Sequence, residues 1–322
     1  MDTKSQTVTV GGGALFSDVI PTVLNAGYEI GSDLHGLTAD TVVSYKVVTA
    51  AGKIMTVSDF QNADLFWAMR VAGQNFGIVL ETTYKIFKVT NGGKALNVDL
   101  ILPASANGTH WGLIKKLSIN MLDELSMFTG RQLLAPIIAN NPLVTKISYI
   151  NAIDLIPTSL FGRFNDPMCK KSNHVSTYTV GLKQIDISTF NTMFHDMADF
   201  WKQYPQTTGS TIYYQTLPVQ AVKAVPSGFN SYPTSHREIE THVLMTYNYN
   251  DASIDAIVSD FADKNRQNLA KTSGFSELEL YTTYAHGDEG AKIWYRDSLP
   301  RLQELKKYDL ENRFRFFNPI VA

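Results

Sequence analysis

The chain has 322 residues, of which 44% are hydrophobic, and its formal net charge is −2. This composition is typical of a globular protein with a sizeable core, and the near-neutral charge provides no basic surface for nucleic acid or an anionic membrane. The single cysteine, Cys169, excludes an intrachain disulfide and a four-cysteine metal site, and we predict no metal.

The first 90 residues alternate between strands and helices. Four runs rich in β-branched residues predict strands: Thr7–Val10, Thr41–Thr49, Lys53–Val57 and Phe76–Phe87. A helix is predicted over Asp18–Ala26, with Ser17 placed to cap it. A second, short helix begins at Asn62 or Ala63.

The pattern changes after the glycine-rich break at Asn91–Gly93. Eight segments follow with strand or helix periodicity: strands Ala95–Leu102, Val144–Ile150, Ser176–Val180, Ser210–Leu217 and Glu238–Tyr249, and helices Gly112–Met121, Phe190–Tyr204 and Ile254–Lys271. This mixed order predicts an α+β unit with a largely antiparallel sheet covered by helices on one face.

The last stretch of the chain has a third pattern. Leu278–Tyr284 predicts a strand, and Ile293–Lys307 predicts a helix that Pro300 interrupts. The chain is therefore expected to divide into three segments, residues 1–90, 91–275 and 276–322.

Three separate blocks of sequence carry a family likeness. They are Val10–Ala14 with Asp18 and Gly27; then Gly36–Ser44, Val47–Lys53 and Asp64–Val79; then Tyr281–Tyr284, Trp294 and Lys307–Phe314. The longest of them, Asp64–Val79, reads DLFWAMRVAGQNFGIV. In this order and spacing the blocks resemble the berberine bridge enzyme-like family of FAD-linked oxidoreductases, and the resemblance covers nearly the whole chain.

The resemblance implies a fold and a cofactor. Residues 1–90 would form part of a PCMH-type FAD-binding domain, residues 91–275 a substrate domain, and residues 276–322 a berberine-like segment that returns to the FAD domain. The implied FAD contacts come from six residues: Asp40, Asn75, Gly77, Ile78, Val79 and Thr283. Glycine lets backbone N–H groups approach a ligand closely. Taken alone, however, the stretch around Gly77 also fits a buried strand that starts after a tight turn.

Two family features have no counterpart in this sequence. One is the R-x-G-G-H loop, whose His often carries the covalent flavin bond in the family. The other is a glycine-rich segment, in place of which only Ser32–Leu34 joins Gly31 to His35. We expect the chain to begin where the first flavin subdomain of the family ends. Apolar sheet surface would then be uncovered, and the protein could self-associate through it.

Proton abstraction coupled to hydride transfer requires a base. The resemblance implies a tyrosine for this role, and the matching positions are Tyr281 and Tyr284, with His286 expected on the same strand face as Tyr284. The pattern of residues alone also allows ordinary strand tyrosines. Glu240 and His242, which alternate with Glu238 on one predicted strand, form an alternative acid–base pair or a solvent-facing stripe.

These features predict an FAD-linked oxidoreductase that oxidises a small organic molecule with O2, in secondary-metabolite biosynthesis. Two alternatives remain: a flavin-free, redox-neutral isomerase or cyclase on the same scaffold, and a non-catalytic, truncated remnant. The sequence has no apolar leader and no run of 18 apolar residues. We therefore expect a cytoplasmic protein with no membrane partner, although relatives in the family are often secreted.

Overall fold

The computed structural model describes residues 1–31, 34–100, 102–131, 145–151, 154 and 174–321. Cys169, Val144 and the Ser32–Asp33 part of the short linker lie outside this part of the chain. The chain divides into two compact units. Unit 1 contains residues 1–93, 218–238 and 287–322, and unit 2 contains residues 94–217 and 239–286. Residues 218–238 thus join unit 1, and residues 276–286 join unit 2.

The described strands are numbered in chain order: β1 Thr7–Gly11, β2 Tyr28–Ile30, β3 Val42–Thr49, β4 Ile54–Ser58, β5 Gly77–Lys88, β6 Lys94–Leu100, β7 Met127–Arg131, β8 Thr145–Asn151, β9 His174–Leu182, β10 Thr211–Thr216 and β11 Thr241–Tyr249. The described α-helices are α1 Phe16–Asn25, α2 Ala63–Ala72, α3 Asn107–Ile119, α4 Ile187–Gln203, α5 Gln220–Ala224, α6 Asp255–Thr272, α7 Ala291–Tyr295 and α8 Leu299–Leu305.

Unit 1 is built on an antiparallel sheet with the strand order β1-β5-β3-β4, and β2 also pairs with β5. A small apolar cluster forms where α1 approaches this sheet, with Val23 of the helix against Val8 and Ile86. Helix α2 is almost entirely buried. Because apolar residues occupy nearly every position of Leu65–Met69, this helix lacks a polar face and is stable only inside the unit.

Unit 2 contains a four-stranded antiparallel sheet with the order β7-β10-β11-β9, and a separate β6–β8 ribbon. Its core lies between the sheet and the helices α4 and α6, and includes Phe190, Met197, Tyr214, Met245 and Val258. Every second residue of each strand faces this core, and the residues between them point to the opposite face of the sheet. The predicted α+β class, with helices on one face of an antiparallel sheet, is confirmed.

Two strand predictions that concern candidate site residues are wrong in part. Residues 278–281 form no strand, and Thr282–Tyr284 form a 3₁₀ turn in which Tyr284 N–H donates to Tyr281 O. The chain touches the sheet through the bond from Gly181 N–H to Glu279 O and then turns away. Strand β11 begins at Thr241, so Glu238 and Glu240 precede it.

Two predicted helix signals also differ from the structure. Helix α1 begins at Phe16 after an extended Leu15 and has no side-chain cap, so Ser17 lies within the helix. The break in the C-terminal helix falls at Arg296, whose φ is 43°. Pro300 lies in the first turn of α8, where its missing N–H costs no hydrogen bond. Among the described helices, none is long and apolar enough to cross a membrane.

Candidate active site

Asn75 is at the centre of a buried network in unit 1. Its side-chain amide donates to Tyr295 Oη at 2.9 Å and to Asn318 O at 3.3 Å, and its Oδ1 accepts from Ile320 N–H at 3.0 Å. Lys306 Nζ donates to Asn75 O at 3.2 Å. The Asn75 side chain, which was predicted to bind the cofactor, is fully buried, and its polar atoms hold the C-terminal segment in place.

The C-terminal block also contacts the start of the signature helix. Tyr308 Oη donates to Asp64 Oδ1 at 3.0 Å, and Lys307 Nζ lies 3.3 Å from Asp64 Oδ2. Burial raises the pKa of the Asp64 carboxyl, but bonds from Leu65 N–H, Tyr308 and Lys307 outweigh this and lower the pKa below its ordinary value. Two blocks that are far apart in sequence therefore form one structural unit.

Asp40 is likewise engaged inside unit 1. Its carboxylate forms a two-pronged ion pair with Arg237, at 2.8 and 3.0 Å, and accepts from Asn230 Nδ2 at 2.7 Å. Leu37 N–H donates to its other oxygen at 2.9 Å. Four donors thus satisfy this buried carboxylate, and the pair joins the segment 218–238 to the start of β3.

The stretch Gly77–Val79 lies at the beginning of β5. One edge of these residues pairs with Thr49–Val47 of β3, whereas β1 pairs with β5 only from Glu81 onward. A Cβ on Gly12 would overlap Val79 O, and a Cβ on Gly77 would lie 2.8 Å from Val48 O. The Ile78 side chain is 59% exposed. The missing Cβ atoms therefore let Gly12 pack against Val79 O and Gly77 against Val48 O, within the sheet of unit 1.

Unit 2 brings together a different set of groups, on the sheet face opposite α4 and α6. Ile212 and Tyr214 face the helix side, so Gln215 of β10 faces the other side. The same alternation places His242 of β11 on that side, and the strand register puts His242 directly opposite Gln215.

Both candidate tyrosines join this group. The Tyr281 ring lies 5.8 Å from the His242 ring and 5.0 Å from the Tyr284 ring, edge to face in each case. Burial raises the pKa of Tyr284, while a bond to the Gln215 side chain acts to lower it. Tyr284 is therefore a neutral phenol at ordinary pH. We call Gln215, His242, Tyr281 and Tyr284 the phenol cluster.

The remaining predicted residues lie in various places. Thr283, in the 3₁₀ turn between the two tyrosines, has an exposed side chain. Glu240 is half-buried before β11, and its backbone bonds to Leu182 and Leu217. His286 does not share a strand face with Tyr284: it stacks on Tyr178 at 4.0 Å, with Nδ1 3.0 Å from Thr177 O.

Sequence reasoning overlooked Gln215. Two signals were available in the sequence. Gln215 is the one amide in Thr211–Thr216, a run of aromatic and β-branched residues, and the strand period places it on the face opposite Ile212 and Tyr214. Among the described residues, no group of three or more His, Cys, Asp or Glu side chains is placed to hold a metal ion.

Comparisons with known proteins identify relatives over nearly the full chain. FAD-linked oxidoreductase azaL of Aspergillus niger is 33% identical over 355 aligned residues, which cover 95% of this chain and 75% of that protein. Because the alignment is longer than the chain, azaL has residues within it that have no counterpart here. No family model matches the chain.

Solved structures share the fold at low sequence identity. The xylooligosaccharide oxidase from Myceliophthora thermophila C1, solved with xylobiose, superposes with a TM-score of 0.77 and 19% identity, over 100% of this chain and 79% of its own. Wild-type BBE-like 1 of Physcomitrella patens superposes with a TM-score of 0.79 and 15% identity, over 100% of this chain and 78% of its own.

Proposed function

The chain belongs to the berberine bridge enzyme-like family of FAD-linked oxidoreductases, and from this premise we propose that it oxidises a hydroxyl-bearing small organic molecule with O2 as electron acceptor. The observation that carries the proposal is the phenol cluster, which places two tyrosines and a histidine together on one sheet face. The similarity to the FAD-linked oxidoreductase azaL and to the xylooligosaccharide oxidase supports the oxidative chemistry. A role in secondary-metabolite biosynthesis is part of the proposal.

Bound FAD would supply the hydride acceptor for this reaction. For the chain itself, we assign the base role to Tyr281: it takes the proton of the substrate hydroxyl and passes its own proton to His242, whose ring it contacts. Tyr284, a neutral phenol, donates a hydrogen bond to a substrate oxygen. Tyr281 and His242 thus carry the proposed proton transfer, and Tyr284 carries the recognition.

The residues proposed to hold FAD differ in how well they suit it. The backbone of Gly77, Ile78 and Val79 has an edge that β1 does not reach, and Thr283 has an exposed hydroxyl. Within unit 1, we assign direct cofactor contacts to Gly77, Ile78 and Val79. Asn75 and Asp40 support the site from within unit 1, since their side chains already bond to protein groups.

The test begins with the purified protein and added FAD. We expect a visible flavin absorbance band that remains after gel filtration, and acid precipitation then separates covalent from non-covalent flavin. Peroxide release is measured with xylobiose, chito-oligosaccharides and aromatic alcohols. Tyr281→Phe should lower kcat by roughly 100-fold or more. Tyr204→Phe, which removes a hydroxyl that accepts a bond from the exposed Gln203 side chain, should leave kcat unchanged.

Two outcomes would replace the proposal by the alternatives. A colourless protein that ignores FAD yet converts a substrate would establish redox-neutral chemistry, and Glu240→Gln and His242→Gln would then test the second acid–base pair. The redox-neutral alternative is supported by the residues of azaL that have no counterpart in this chain. A colourless protein without any conversion would point to a non-catalytic remnant.

We also propose self-association through helix α1. Leu15, just before the helix, and Phe16 and Ile20 within it are 63%, 47% and 40% exposed. Phe16 and Ile20 also line a cavity of about 340 Å³, together with Val23, Leu24 and Ile30. A second copy could cover this surface. Sedimentation velocity should show a dimer that Phe16→Glu dissociates, whereas Leu310→Glu, at a more exposed apolar residue outside this surface, leaves it intact. A wild-type monomer at all concentrations would contradict this.

A further inference from the structure

Helices α4 and α6 of unit 2 flank a cavity of about 230 Å³, where the first turns of α4 meet the last turns of α6. Both helices cover one face of the four-stranded sheet, and the phenol cluster lies on the other face. The cavity is therefore separate from the groups assigned to the reaction. Its volume is below the roughly 300–1,000 Å³ of sites for drug-sized ligands, so it suits a ligand of about one small ring.

The floor of the cavity combines apolar and polar groups. Met193 and Leu269 are 3% and 1% exposed and provide an apolar surface. Asn265 also lines the cavity and is 2% exposed, and its Nδ2 donates to Phe261 O at 2.9 Å. Its Oδ1 accepts no hydrogen bond in the part of the chain that the structure describes. An amide oxygen in so enclosed a position is usually paired, so the floor offers an acceptor that a ligand hydroxyl can complete.

A chain of hydrogen bonds at one end of the cavity fixes the direction of two hydroxyl groups. Thr189 donates its N–H and its hydroxyl to Asp186 Oδ1, both at 2.8 Å, and Thr272 donates to Thr189 Oγ1 at 3.1 Å. Both hydroxyl protons are thus bound within the protein, and Thr272 offers only lone pairs to the cavity. The bonds from Thr189 also lower the pKa of Asp186, whose negative charge disfavours an anionic ligand.

The remaining polar groups lie at the rim of the cavity. Within the described residues, the hydroxyls of Ser188 and Thr192, the Asn268 amide and the Lys271 ammonium make no hydrogen bond or ion pair. Lys271 only donates, and its charge disfavours a cationic ligand, whereas the hydroxyls and the amide both donate and accept. A ligand that meets acceptors and donors together needs groups that do both, and the hydroxyl is the smallest such group.

We propose that this cavity binds one neutral, polyhydroxylated ring, such as a pentose or hexose sugar. The C–H face of the ring packs on Met193 and Leu269, and its hydroxyls bond to the amides of Asn265 and Asn268 and to Thr272. The ring comes from a free monosaccharide or from the terminal unit of an oligosaccharide, since both present the same hydroxyls. The site is independent of the proposed oxidation, because it uses no residue of the phenol cluster.

The first test compares sugars of one ring size and different charge on the full-length protein. Glucose, glucosamine and glucuronate are titrated, and the NMR signal of the isotope-labelled Met193 methyl group reports binding inside the cavity. We expect a saturating shift with glucose and a Kd on the order of millimolar, because few non-hydrogen atoms are involved. Both charged sugars should bind roughly 5-fold more weakly or less. No shift with glucose, or equal or tighter binding of a charged sugar, would overturn the proposal.

The second test fills or strips the cavity. Thr192→Phe introduces a ring from an exposed position, and Asn268→Leu removes one amide. Gln267→Phe is the matched control, at an exposed position of α6 that does not line the cavity. We expect the Kd for glucose to rise roughly 10-fold or more in Thr192→Phe, to rise roughly 3-fold or more in Asn268→Leu, and to stay unchanged in Gln267→Phe. Equal Kd values in all three variants, with urea denaturation showing that each is folded, would contradict the assignment.

Xylose and xylobiose distinguish the two sources of the ring. Equal Kd values support a free monosaccharide, and a Kd that is roughly 10-fold lower for xylobiose supports the terminal unit of an oligosaccharide. Tyr281→Phe should leave the Met193 titration unchanged. A Met193 signal that responds to sugar in the wild type but not in Tyr281→Phe would assign the effect to the phenol cluster and overturn the separate site.

Discussion

The two groups of residues that the family likeness singled out use their polar atoms in different ways. In unit 1, Asn75 and Asp40 are buried, and partners within the unit bond to their side chains. In unit 2, Tyr281, Tyr284 and His242 meet through ring contacts, and Thr283 between the tyrosines is exposed. The residues that define the family most clearly hold the fold together, whereas the groups suited to chemistry lie in a less distinctive stretch.

The strongest test of this difference is the Asp40–Arg237 pair. Their side chains are 3% and 5% exposed, so Asp40→Asn leaves a buried guanidinium uncompensated. We expect the free energy of unfolding to fall by about 3–5 kcal/mol, measured by urea denaturation. The control is Glu81→Gln, which breaks a half-exposed pair with Lys46 and should cost about 0–1 kcal/mol. Equal effects of the two variants would contradict the structural role of Asp40.

The Asn75 network should give the next largest effect. Asn75→Ala removes two donated bonds and one accepted bond in a fully buried site, and we expect a loss of about 3 kcal/mol. Tyr295→Phe removes only one hydroxyl from the same network and should cost about 1–2 kcal/mol. Chemical denaturation of both variants checks this order. If Asn75→Ala weakened FAD binding without lowering stability, Asn75 would instead be a direct ligand.

Adjacent glycines provide a sharper test of the strand edge at β5. A Cβ on Gly12 would overlap Val79 O, whereas a Cβ on Gly11 meets nothing within 4 Å. We expect Gly12→Ala to displace the backbone of Gly77–Val79, to cost about 1–3 kcal/mol, and to weaken FAD binding. Gly11→Ala should leave both properties close to wild type. Flavin fluorescence titration and urea denaturation measure them, and identical titrations for the two variants would argue against a cofactor contact at this edge.

The smallest effect should come from the partly exposed Asp64. Its folded pKa is below the ordinary value of 3.8, so its stabilising contribution is present above that value and is lost as the pH falls below it. Tyr308→Phe removes one bond to Asp64 and should cost about 0.5–1.5 kcal/mol at neutral pH. The difference from wild type should shrink as the pH falls below about 4. Tyr204→Phe should show a difference that does not change with pH over this range.

Several elements could be predicted from the sequence because local chemistry determines them. Helix α2 follows Asn62 and ends at the glycine-containing turn, and the strands of unit 1 coincide with runs of β-branched residues. The predicted strand over Leu278–Tyr284 is wrong because its alternation of apolar and polar residues was the only signal. The bonds that close the 3₁₀ turn at Tyr284 depend on where the chain leaves the sheet.

The sequence by itself determined the family and the α+β class, because order, spacing and side-chain period are properties of a linear chain. Only the tertiary structure decided that Asp40 meets Arg237 and that Asn75 holds the C-terminal segment. Each of these contacts joins residues more than 60 positions apart. Strand register and helix packing bring such residues together, and no local pattern encodes which polar atoms then meet.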